Sequence, residues 1–174
     1  MQRRTLLTLG VVGAAALALA GGTLALIQPA RRDAVFTDPA QAMLRAVARA
    51  VLAGLLPADT AAESAALSAH LSRLQTTIAG MPAAMQSEVD ELLTIVSSAP
   101  GRRALVGLAD AWDSASAPAV TAALQDMRTS SLALRQQAFH ALRDLTNAAY
   151  FADPSTWPAI GYPGPRDLSM AAPT

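Results

Sequence analysis

Residues 130–150 read SSLALRQQAFHALRDLTNAAY, and this stretch decides the fold. Leu134, Ala138, Leu142, Leu145 and Ala149 recur every three or four residues, with Phe139 beside them. That spacing lines one face of a helix with 3.6 residues per turn; a strand would need alternation. Ser130-Ser131 offers capping hydroxyls, and the periodic run predicts a helix reaching Tyr150 or Phe151.

Working upstream, the same rhythm returns. Thr37-Asp38-Pro39 starts a helix whose stripe is Leu44, Val47, Val51 and Leu55, stopped by Pro57. Thr60-Ala61-Ala62-Glu63 matches a capping box ahead of Leu67, Leu71, Leu74 and Ile78. A third helix carries Met85, Val89, Leu92 and Val96 and ends before Pro100-Gly101. A shorter fourth holds Leu105, Leu108 and Trp112, and a fifth, started by Ser116 to Pro118, holds Val120, Leu124 and Met127. No segment alternates with a two-residue period, so no sheet is expected. The reading is all-α: a compact bundle of about six short helices.

Composition agrees. Alanine, the best intrinsic helix former, supplies about a quarter of the residues. Hydrophobic residues make up 52% of the chain and charged ones 15%. All basic residues are arginine, the net charge is zero, and no basic run lies outside the N-terminal region, which argues against nucleic-acid binding. The absence of cysteine excludes disulfides, thiol nucleophiles and cysteine-ligated clusters.

The chain divides at 1–33, 34–152 and 153–174. The first part begins Met1-Gln2-Arg3-Arg4-Thr5-Leu6-Leu7, and an apolar run extends from Leu6 to Ile27. Arg3 and Arg4 directly before Leu6 and Leu7 look like a twin-arginine (Tat) export signal, read by the Tat translocon. Ala18-Leu19-Ala20 fits a small-x-small cleavage site, yet the run of about 22 residues is also long enough to cross a bilayer as a retained anchor. Either outcome places the domain outside the cytoplasmic membrane, in the periplasm. Pro29 to Asp33 reads as a linker.

The third part changes character. Trp157-Pro158-Ala159-Ile160-Gly161-Tyr162-Pro163-Gly164-Pro165 is too rich in proline and glycine for an α-helix and is expected to be extended. Its rings serve either a partner or the closure of the bundle's own core.

Catalytic groups are sparse. His140 lies four residues before Asp144, so the two can pair along one helix face and could supply a general base; a structural pair is the commoner outcome. Zinc needs about three good ligands, and the two histidines, His70 and His140, lie on different helices. Glu88, Asp90 and Glu91 read as a solvated face. No nucleotide-binding glycine loop or nucleophile motif is present.

Ala149-Tyr150-Phe151-Ala152-Asp153-Pro154, Trp157 and Ile160-Gly161-Tyr162-Pro163-Gly164-Pro165 resemble the end of the gluconate 2-dehydrogenase small-subunit (subunit 3) family. The twin-arginine start and the intervening helices are similar too, although only about the last forty residues are specific. The resemblance implies an accessory subunit with no catalytic, cofactor-binding or metal-binding residues of its own. Its partner would be an FAD-containing GMC-type dehydrogenase large subunit, exported together with it, with a cytochrome c frequently accepting the electrons. Since large apolar side chains anchor interfaces, docking of that partner is expected to bury Trp157, Ile160 and Tyr162 of the tail together with the end of the last helix at Tyr150 and Phe151. The missing cysteine precludes a disulfide to that partner. Two other readings stand beside it: a membrane-anchored helical scaffold with an unrelated partner, and a self-contained exported enzyme using His140 and Asp144.

Overall fold

The computed structural model describes residues 28–165. Arg3, Arg4, Leu6, Leu7 and the candidate cleavage site at Ala18-Leu19-Ala20 lie outside them, as do residues 166–174. No helix among the described residues is long and apolar enough to cross a membrane.

The fold is mostly helical. Helix α1 (Asp38–Val51) packs against α2 (Thr60–Ala79), α3 (Ala83–Ser97), α5 (Ala117–Arg128) and α6 (Ala133–Phe151). Between α3 and α5 lie a single turn, α4 (Ala99–Gly101), and a π-helical turn at Arg102–Val106. The expected stripes of α2, α5 and α6 all face inward, with Leu67, Leu74, Ile78 and Met127 fully buried. In α3 the buried pair is Leu93 and Val96, while Met85 is exposed. Replacing a fully buried leucine such as Leu74 by alanine typically costs about 2 to 5 kcal/mol.

Four local expectations are corrected. The first is the absence of a sheet: Arg31–Arg32 (β1) and Val35–Phe36 (β2) form a short antiparallel ladder, with Arg31 opposite Phe36 and Arg32 opposite Val35. Its two-residue turn puts Asp33 at φ 50° and Ala34 at φ 64°. Two left-handed residues are what a twisted hairpin requires, but neither is a glycine, so the sequence gives no warning.

Second, the supposed linker is docked. Ala30 and Phe36 are in the core. The Ala30 amide donates to Thr94 Oγ1 at 2.9 Å, and Arg31 donates through Nε and Nη2 to the two oxygens of Asp90.

Third, the fourth helix stops at Val106 and does not include Leu108 or Trp112. Gly107, at φ 84°, ends the turn in the left-handed region. Two arginines bond to carbonyls at and beyond that end: Arg135 donates to those of Leu105 (2.8 Å) and Val106 (3.1 Å), and Arg102 to those of Leu108 and Ala109 (both 3.3 Å). Trp112 then roots the following loop, its indole N–H donating to Val96 O at 3.0 Å.

Fourth, the Pro/Gly segment after α6 is not simply extended: Pro154–Ile160 forms a 3-10 helix. Proline's fixed φ suits that helix, and Pro154 sits at its first turn, where an N–H is not required. Two caps are also displaced by one or two residues. Asp59, rather than Thr60, caps α2 by accepting from the Ala62 amide at 2.8 Å. Leu132 precedes α6, and Ser130 Oγ accepts from its amide at 3.2 Å.

Candidate functional site

The segment singled out for partner binding is built on the C-terminal end of α6. A helix end leaves its last carbonyls without intrahelical donors. Here three of them are met by side chains from elsewhere. Arg73 of α2 donates to Ala149 O (3.0 Å), Thr156 Oγ1 to Tyr150 O (3.3 Å), and the Trp157 indole N–H to Phe151 O (2.8 Å). Thr156 and Trp157, just beyond α6, therefore fold back to cap that helix.

Asp153 organises the reversal. Its carboxylate accepts from the Ser155 amide at 2.9 Å and from Arg73 Nη1 at 3.0 Å. Hydrogen bonds from Ser155, and then the Arg73 charge, hold this carboxyl below its ordinary range. The Tyr162 ring meets Trp157 edge to face at 5.2 Å between centroids. A side chain at Gly164, whose φ is 98°, would touch the same indole.

The five expected partner residues thus fall into three environments. Tyr150 is buried, and its hydroxyl donates to Leu55 O at 2.9 Å; its ring closes a small core with Ala48, Leu52 and Leu67. Phe151 and Trp157 are half-buried. Ile160 and Tyr162 are exposed, at 51% and 45%. An outward isoleucine and tyrosine beside half-buried rings form an apolar surface that a second protein could cover.

The candidate general base is not assembled. Asp144 pairs with its neighbour Arg143 at 2.8 Å. His140 is exposed and has no hydrogen bond among the described residues, its ring lying 5.3 Å from that of Phe139. His70 has the opposite surroundings. It is 1% exposed, its Nδ1 has no hydrogen-bond partner among the described residues, and burial first, then the Arg73 charge, lowers its pKa to about 4.

The arginines at helix and turn ends, Arg73, Arg102 and Arg135, were not distinguishable in the sequence. Each of them donates to backbone carbonyls beyond its own helix or turn, Arg73 also to the Asp153 carboxylate, and bonds between residues far apart in the chain or to carbonyls leave no mark on residue spacing. No protein-family model, curated protein or solved structure matches the chain.

Proposed function

We propose that this chain is a non-catalytic small subunit of a flavin-dependent dehydrogenase. It binds a GMC-type large subunit that carries the FAD, and it supplies the Tat signal that takes the pair to the periplasm. The apolar run from Leu6 to Ile27 attaches the pair to the membrane if it is retained. A cytochrome c receives the electrons. The observation that carries this reading is the C-terminal pattern from Ala149 to Pro165, together with the outward placement of Ile160 and Tyr162 within it. The paired Arg3 and Arg4 ahead of the apolar run supply the export half.

Two experiments test the two halves. Replacing Arg3 and Arg4 by lysine keeps the positive charge and removes the paired guanidinium groups. Both this chain and the dehydrogenase should then stay in the cytoplasm, as read by fractionation and immunoblot. Normal arrival of the dehydrogenase outside the cytoplasm would refute the escort role.

The second test uses the exposed pair. Because Ile160 and Tyr162 are about half exposed and lie beyond the last α-helix, the double change Ile160→Ala, Tyr162→Ala should leave the helical circular dichroism unaltered. An aromatic hot spot contributes about 2 kcal/mol or more, so affinity for the large subunit should fall at least tenfold. Trp157→Ala is the less clean probe, since it also removes the donor to Phe151 O. Undiminished affinity in the double variant would place the interface elsewhere.

A further inference from the structure

A groove of about 390 Å³ runs beside the start of α1, lined by Asp38, Pro39, Ala42, Arg102, Trp112 and Asp113 among others. Its charges are unusual. Arg102 is 7% exposed, and its Nε and Nη2 go to the Leu108 and Ala109 carbonyls through long bonds. Nη1 makes no hydrogen bond among the described residues, and Arg102 is one of the residues that line the groove. None of the ion pairs among the described residues includes Arg102, Asp38 or Asp113. A largely buried guanidinium without a counter-charge is costly. Two carboxylates line the same groove, and they do not pair with it.

Opposite charges that line one groove without forming an ion pair select against simple ions. A lone anion drawn to Arg102 meets the repulsion of Asp38 and Asp113, and a lone cation drawn to the carboxylates meets that of Arg102. A ligand bearing an ammonium and a carboxylate on one carbon satisfies both kinds of charge. The remaining lining, Pro39, Ala42 and Trp112, is apolar and suits a hydrocarbon side chain. We propose that the groove binds a small zwitterion of the α-amino-acid class, its carboxylate on Arg102 Nη1 and its ammonium between Asp38 and Asp113. This site lies apart from the tail and does not depend on the dehydrogenase reading.

The test is calorimetric titration of the full chain with L-leucine, L-phenylalanine and L-alanine. Two analogues of leucine that each lack one charge, 4-methylpentanoate and isoamylamine, are the controls. At least one amino acid should bind saturably, and its counterparts bearing a single charge should bind at least tenfold more weakly. Asp113→Asn, at an exposed position outside every helix, should weaken amino-acid binding at least tenfold with helicity unchanged. Arg102→Lys, which retains the charge but not the planar fork, should do the same, and its fold is checked by circular dichroism. The proposal fails if none of the three amino acids binds, if the leucine analogues bind as well as leucine, or if Asp113→Asn binds as the parent does.

Discussion

Gly101→Ala should destabilise the protein by about 4 kcal/mol or more, at the upper end of what single substitutions do. The reason is the turn between α3 and α4. Ser98 Oγ donates to Ile95 O at 2.7 Å and accepts from the Gly101 amide at 3.1 Å, folding the chain tightly on itself. A Cβ at Gly101 would lie 1.9 Å from Ile95 O and 2.7 Å from the carbonyl carbon. These are backbone atoms of α3, so no rotamer change relieves the overlap. Either the last turn of α3 unwinds or α4 is pushed outward, taking with it the Arg102 bonds and the Trp112 anchor. Gly54→Ala is the control. Its φ of 84° also disfavours a side chain, but nothing lies within 4 Å of the added carbon, so only backbone strain of about 1 to 2 kcal/mol is expected. Urea denaturation followed by circular dichroism separates the two. Equal losses for both variants would mean that the contact with Ile95 is relieved at little cost.

The second large effect is a dependence of stability on pH through His70. In the folded state its pKa is lowered to about 4, against 6.5 for the ordinary side chain. The unfolded chain therefore binds a proton at a pH where the folded chain refuses it. Stability rises with pH wherever the unfolded state holds more protons. The His70 contribution is accordingly complete above pH 6.5 and is lost progressively as the pH falls towards 4. At one pKa unit per 1.36 kcal/mol, the loss at pH 5 is about 2 kcal/mol and approaches about 3 kcal/mol at the lower limit. His70→Leu fills the same space without a titrating group and removes the buried Nδ1, which has no partner among the described residues. The variant should flatten the stability curve between pH 7 and 5. A parent curve already flat over that interval would show that the imidazole is protonated without penalty.

The helices were legible for a definite reason. Each of α2, α5 and α6 buries one continuous stripe, and Leu67, Leu71, Leu74 and Ile78 or Val120, Leu124 and Met127 announce it at sight. The elements that escaped are those fixed by backbone geometry rather than by burial periodicity. The hairpin depends on left-handed conformations at Asp33 and Ala34, and neither residue advertises them. The 3-10 helix at Pro154–Ile160 is hidden because its prolines read as helix breakers, which is true of an α-helix interior but not of a single tighter coil. Trp112 looked like the end of a helical stripe since Leu105 and Leu108 precede it at the right intervals; Gly107 breaks that stripe between them. The composition and position of the tail could be read in advance. Which of its rings turn outward could not, because that depends on Tyr150 reaching Leu55 across ninety-five positions of chain.

The capped end of α6 has a consequence for the thermodynamics of association. A disordered tail would lose conformational freedom on meeting a partner, and that ordering cost subtracts from affinity. Here Arg73, through Asp153, and Thr156 and Trp157, through the carbonyls of Tyr150 and Phe151, fix residues 153–157 onto the helix terminus, and Pro154 and Pro158 restrict that segment's backbone further. The entropy of that segment is lost when the bundle folds, so under the proposed docking it would not be lost again on association. Ile160 and Tyr162 are consequently displayed on a preorganised platform, suited to rigid-body docking with little rearrangement. Recognition at this surface would be governed by shape complementarity and by how fast the complex dissociates, rather than by the work of ordering a flexible arm.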